Sequence, residues 1–153
     1  MDTSEANLRA HHVWVSTDSA FQRTCRLQQA LWREAMGIPI GYKPNGDPLG
    51  SRIAMPRAKE LLENYLTPTI RDVVRAEVMD VPRGAGKLYG EPRIHDNLLS
   101  SQPLCFNLFG ELQRDLELAS RFFRRRCPDR IDRVTGIQFE HSPGRRDPRY
   151  TGD

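Results

Sequence analysis

A chain of 153 residues, 38% hydrophobic and 28% charged with a mean hydropathy of −0.62, has the length and polarity of one globular domain. No apolar run approaches the ~20 residues of a bilayer-spanning helix, and Met1-Asp2-Thr3-Ser4-Glu5 lacks the basic and apolar regions of a secretory signal, so no membrane partner and a cytoplasmic location are expected. Twenty-three basic residues against 20 acidic ones leave +3, which excludes a uniform field but tilts the chain toward anionic partners.

Cys25, Cys105 and Cys127 are odd in number and widely spaced, which argues against a disulfide scaffold and a Cys-x-x-Cys centre. Lys43, Lys59 and Lys87 are the only lysines, so arginine carries nearly all the positive charge. That bias fits GC-rich coding first, and otherwise a need for bidentate contacts to phosphate or carboxylate.

In chain order, residues 1–16 read as a loosely held lead. Asp18 or Ser19 caps a helix that runs to about Met36, with Phe21, Cys25, Leu27, Leu31, Trp32 and Ala35 at spacings of three and four and Gly37 as its stop. Residues 38–55 hold three prolines and three glycines, and Pro44-Asn45-Gly46-Asp47-Pro48 is turn chemistry, so the stretch reads as a surface loop. A helical region opens near Pro56 and passes Leu61, Leu62, Tyr65 and Leu66. Thr67-Pro68 interrupts it, and a helix with Ile70, Val73, Val74 and Val78 follows, as a hairpin or a kink.

After a second proline- and glycine-rich stretch at 80–102, the longest predicted helix opens at Ser100 or Ser101 and reaches Arg126. Leu108, Leu112, Leu116, Ala119 and Phe123 lie on one face, flanked by Leu104, Phe109 and Phe122. Cys127-Pro128-Asp129 ends it, and Val134–Glu140 predicts a strand with Thr135, Ile137 and Phe139 on one side. No second segment is as good a strand candidate.

Several patterns carry no chemistry. Gly84-Ala85-Gly86-Lys87-Leu88 lacks the first glycine of a phosphate loop, where Val81 stands, and its final Ser or Thr, where Leu88 stands. His11-His12 has no partner at zinc-ligand spacing, and Trp14 and Trp32 read as core or interface residues. Arg124, Arg125 and Arg126 either oppose the dipole of the long helix or contact a phosphate backbone. His141 is either a strand-end polar residue or a metal ligand or base.

Leu98 to Leu112, reading LLSSQPLCFNLFGEL, together with Phe139-Glu140-His141-Ser142-Pro143-Gly144 and Asp147-Pro148-Arg149-Tyr150-Thr151-Gly152-Asp153, resembles a bacterial family of restriction-endonuclease-like proteins in the PD-(D/E)XK nuclease superfamily. The likeness extends upstream through Gly50-Ser51-Arg52 and Tyr89-Gly90. It implies an α-rich α/β fold: an N-terminal helical region over residues 1–99, then the first helix and strand of a restriction-endonuclease-like core over 100–153.

The resemblance further implies magnesium-dependent hydrolysis of DNA, in which carboxylates hold a metal that activates water and a lysine assists. It assigns Glu111 as a helix-borne catalytic and metal-binding carboxylate and Asp153 as a second metal ligand. Arg145, Arg146 and Arg149 would be DNA contacts. Glu111 reads otherwise as a boundary residue, solvated or paired with Arg114. No lysine follows an Asp-x or Glu-x, since Gly41, Arg57 and Ala85 stand two before Lys43, Lys59 and Lys87. The chain is therefore expected to be a truncated endonuclease, inactive alone, or a non-catalytic fragment that binds DNA or protein.

Overall fold

The structure, a computed structural model, describes residues 1–80 and 88–140. The chain forms two compact units, Met1–Leu66 with Gly90–Leu104, and Thr67–Tyr89 with the chain from Cys105 onward. The α-rich α/β class implied by the sequence holds: helices dominate, and the described residues add one small antiparallel sheet.

In the first unit, α1 (Glu5–Ala10) opens on Ser4, whose hydroxyl accepts the Asn7 amide. Residues 1–16 are thus not a loose lead. Leu8 and Val13 are fully buried with Leu27 and Ala30. A six-residue helix with a single core leucine carries too little periodicity to be seen in sequence. Helix α2 (Ala20–Ala35) begins at Ser19 in a reciprocal capping box with Gln22, and Gly37, at φ +64°, lies just beyond its end. Its buried face is Leu27, Ala30 and Arg33, while Phe21 is 77% exposed.

The stretch read as a loop is a hairpin: β1 (Ile40–Tyr42) pairs antiparallel with β2 (Pro48–Ile53), with Gly41 opposite Leu49 and Tyr42 opposite Pro48. The turn at Pro44–Asp47 has the chemistry expected of it, and strands so short and glycine-broken have no alternating pattern. Ile38, Ile53 and Ala58 form a second cluster, covered by Trp32 and Leu98. Helix α3 (Arg57–Leu61) stops where Leu62 turns left-handed at φ +52°. Fully buried Tyr65 donates its hydroxyl to the Ile94 carbonyl at 2.7 Å, holding the short α5 (Arg93–Asp96).

The second unit starts with α4 (Pro68–Val74), capped by Thr67, so the interruption read at Thr67-Pro68 separates two helices. Ile70, Val73 and Val74 are buried, and α4 runs on into a π-helical turn at Arg75–Met79. The long helix predicted to Arg126 is two, α6 (Ser101–Arg114) and α7 (Leu116–Arg126), divided at Asp115, whose carboxylate accepts the Leu118 amide. An apolar period that ran through the break concealed it.

The apolar face expected of the long helix is buried at Leu112 and Ala119 but not at the start of α6. Leu104 and Leu108 are 57% and 58% exposed, whereas Pro103, Phe106 and Gly110 are buried. A Cβ at Gly110 would lie 3.1 Å from Ile70 Cγ1, so this glycine is what lets α6 approach α4.

The strand expected over Val134–Glu140 does not form. The Val134 amide donates to Ser120 Oγ at 2.9 Å and the Ile137 carbonyl accepts from Gln113 Nε2 at 3.1 Å, so side chains of α6 and α7 take backbone groups that a ladder would need. Phe139 is buried and stacks on Phe106, with ring centroids 4.1 Å apart.

Candidate functional site

Of the residues assigned in sequence, Glu111 is described; Asp153, Arg145, Arg146, Arg149 and His141 lie outside the described residues. Glu111 sits half-buried on α6, and its Oε1 accepts the hydroxyl proton of Thr67. Thr67 Oγ1 in turn accepts the Ile70 amide at 3.2 Å, so one hydroxyl both starts α4 and orients the glutamate. The contact is made to Thr67, 44 residues back, and not to Arg114 one turn on. Periodicity on a single helix cannot reveal such a partner.

Two residues along, Gln113 Nε2 donates to Glu77 Oε1 at 3.0 Å and to the Ile137 carbonyl at 3.1 Å, tying the π-helical turn and the 134–139 segment to α6. The Tyr89 ring packs against Phe106 at 5.9 Å, and its buried phenol oxygen has no hydrogen-bond partner among the described residues. Burial, reinforced by the charges of Glu77 and Glu140, pushes the Tyr89 phenol well above its ordinary pKa, so it stays protonated.

Further along this unit, α7 ends in Arg124, Arg125 and Arg126, all exposed, with Arg130 and Arg133 in the chain that follows. A cleft of about 400 Å³ there is lined by Leu116, Glu117, Ser120, Arg124, Asp132, Arg133 and Val134.

The first unit carries a different charged group. Arg52 Nη1 donates to Asp96 Oδ2 at 2.9 Å, and the Asp96 side chain is only 4% exposed. His95 is fully buried; its Nε2 lies 3.7 Å from Glu91 Oε1, too long for a hydrogen bond, and Glu91 is held by Lys59 Nζ at 3.2 Å. Burial lowers the His95 pKa, aided by Lys59 and opposed by Glu91, and burial raises that of Asp96 against the pull of Arg52. None of these was singled out in sequence, because Arg93-Ile94-His95-Asp96 sits in a proline- and glycine-rich stretch with no periodicity to rank it.

Set beside known proteins, residues 16–153 match a family model of the PD-(D/E)XK nuclease superfamily, and the chain belongs to that superfamily. No curated protein and no solved structure matches it. Superfamily members generally depend on a divalent metal.

Glu111 suits part of such a centre, since one oxygen is fixed by Thr67 and the other makes no hydrogen bond among the described residues. The rest does not fit. Among the described residues no three His, Cys, Asp or Glu side chains converge as metal ligands, and Lys43 and Lys59 belong to the other unit. No reaction step through a metal follows from these residues. No helix among them is long and apolar enough to cross a membrane.

Proposed function

We propose that this nuclease-superfamily chain belongs to a magnesium-dependent enzyme that hydrolyses DNA, and that its 153 residues do not cleave alone. In this reading Glu111 contributes one carboxylate and Asp153 a second, Arg145, Arg146 and Arg149 contact the substrate backbone, and residues other than these supply the acidic-lysine pair. The observation that carries it is the superfamily match over residues 16–153 of a sequence that has no Asp-x-Lys or Glu-x-Lys. Supporting it, Thr67 holds Glu111 in the way that outer partners orient metal-binding carboxylates.

The test is incubation of the purified chain with supercoiled plasmid and Mg²⁺ or Mn²⁺, with EDTA controls. Intact plasmid is the expected result. Metal-dependent nicking that EDTA stops would show that the side chains in hand suffice and would overturn the proposed inactivity. A second reading, a non-catalytic module that binds DNA, is favoured by the exposed arginines after Ser120.

A further inference from the structure

Resting on the reading of the chain as a DNA-acting protein, we infer that the end of α7 and the chain to Arg133 form a docking face for a nucleic-acid phosphate backbone. Six arginines and two aspartates stand between Arg121 and Arg133, while the other 140 residues hold 17 basic and 18 acidic groups. One 13-residue segment thus carries +4 and all the rest −1.

Most of this charge is unspent inside the fold. Arg121 pairs with Glu117 at 2.9 Å, but Arg124, Arg125, Arg126, Arg130 and Arg133 are exposed and form no ion pair among the described residues. Several arginines elsewhere are ion-paired, Arg26 with Asp18, Arg52 with Asp96 and Arg57 with Glu63, and among the described residues no other segment gathers as many unpaired arginines. The dipole of α7 favours Arg124–Arg126 in its last turn, yet that effect fades within a turn and does nothing for Arg130 and Arg133. Five unpaired like charges within ten residues repel one another, and a polyanion relieves the repulsion.

The spread of the group decides what kind of anion fits. Glu117 and Asp132 line the cleft beside Arg124 and Arg133, so it is no deep pocket for a single phosphate. Exposed guanidiniums fanned over successive positions suit phosphates repeated along a strand, where contacts to the backbone position the molecule without reading sequence. Arg126 lies over the exposed ring of Phe122, 5.7 Å from its centroid, which keeps that cation at the surface.

The test is fluorescence anisotropy of the whole 153-residue chain with a labelled 30-base-pair DNA duplex, the matching RNA duplex, and phosphatidylserine vesicles, across 50–200 mM salt. Binding of the DNA with an affinity that falls log-linearly with salt is expected, and the triple variant R124Q/R125Q/R133Q makes the slope shallower by about 2.7, at about 0.9 per lost phosphate contact. The triple lysine variant at the same positions restores the slope, and a circular dichroism spectrum like that of the unsubstituted chain excludes misfolding. R9Q/R57Q/R75Q, which removes equal charge from ion-paired positions, leaves the slope unchanged.

Equal losses from the two glutamine triples, or stronger binding to vesicles than to either duplex, overturn the docking face. DNA binding that R124Q/R125Q/R133Q does not alter overturns the face while the DNA reading stands. Preference for RNA with the same loss in the triple upholds the face and overturns the DNA reading, and no binding at 50 mM salt overturns the face whatever the cleavage assay shows.

Discussion

Arginine does different work in the two units. In the first, Arg33 is 6% exposed and donates to the Gly50 and Ile38 carbonyls at 2.9 and 2.7 Å, while Arg26 and Arg52 end on the nearly buried carboxylates of Asp18 and Asp96. In the second, the arginines at the end of α7 stand in solvent and form no ion pair among the described residues. A guanidinium withdrawn from water must be matched inside the fold, so the first set is part of the architecture. One left in water gains little from local pairing and is available to a partner. The arginines therefore include a structural set and a presented set.

The largest effect that would break this contrast is Arg52→Ala. It leaves the Asp96 carboxylate buried and unpaired, and a loss of about 3–5 kcal/mol is expected in urea unfolding at pH 7. Arg124→Ala, by contrast, should stay within about 0.5 kcal/mol of the unsubstituted chain. Equal costs at the two positions would end the distinction. Next in size is Phe139→Ala, expected to cost about 3 kcal/mol by the same measurement, because the ring is 3% exposed and stacked on Phe106. A cost below about 1 kcal/mol would mean that the 134–139 segment is not held by the second unit.

The first unit should also respond to acid. Burial holds His95 below its ordinary pKa, so the folded chain binds that proton less tightly than the unfolded chain does. Stability from this group is present above about pH 6.5 and is lost as pH falls below it, at no more than about 1.4 kcal/mol per pH unit. Asp96 acts in the opposite sense: burial raises its pKa, so its contribution is greatest below about pH 4 and is lost as pH rises through the folded value. Urea midpoints measured from pH 7.5 to 5.5 should fall for the unsubstituted chain and flatten for His95→Leu. Parallel curves would show that His95 is not the group titrating.

What could be read from sequence was whatever a local signal carries. Ser19, one of the two caps offered, starts α2, Gly37 follows its end, and Thr67-Pro68 opens α4, although the helix before it stops already at Leu61. The superfamily was legible in the run from Leu98 to Leu112. The misses are non-local or weakly patterned. Asp115 ends one helix inside a continuous apolar period, the strands of the β1–β2 hairpin are too short to show an alternating pattern, and the Val134–Glu140 pattern met side chains of α6 and α7 in place of a neighbouring strand. At the candidate site, Glu111 was singled out in sequence but its hydrogen-bond partner Thr67 was not, because 44 residues separate them.

The smallest effect bears on what Glu111 is for. Thr67→Ala removes the acceptor of the Ile70 amide along with the donor to Glu111, and about 1 kcal/mol is expected from the lost cap. Glu111→Gln keeps a side-chain oxygen for the Thr67 hydroxyl, so it should cost less than about 0.5 kcal/mol in urea unfolding. If it costs as much as Thr67→Ala, the carboxylate charge itself buttresses α4 and the residue is explained by the fold. If it costs nothing, the charge has no structural duty where it stands, and an oxygen with no hydrogen bond among the described residues, beside one that Thr67 fixes, suits a cation-binding carboxylate.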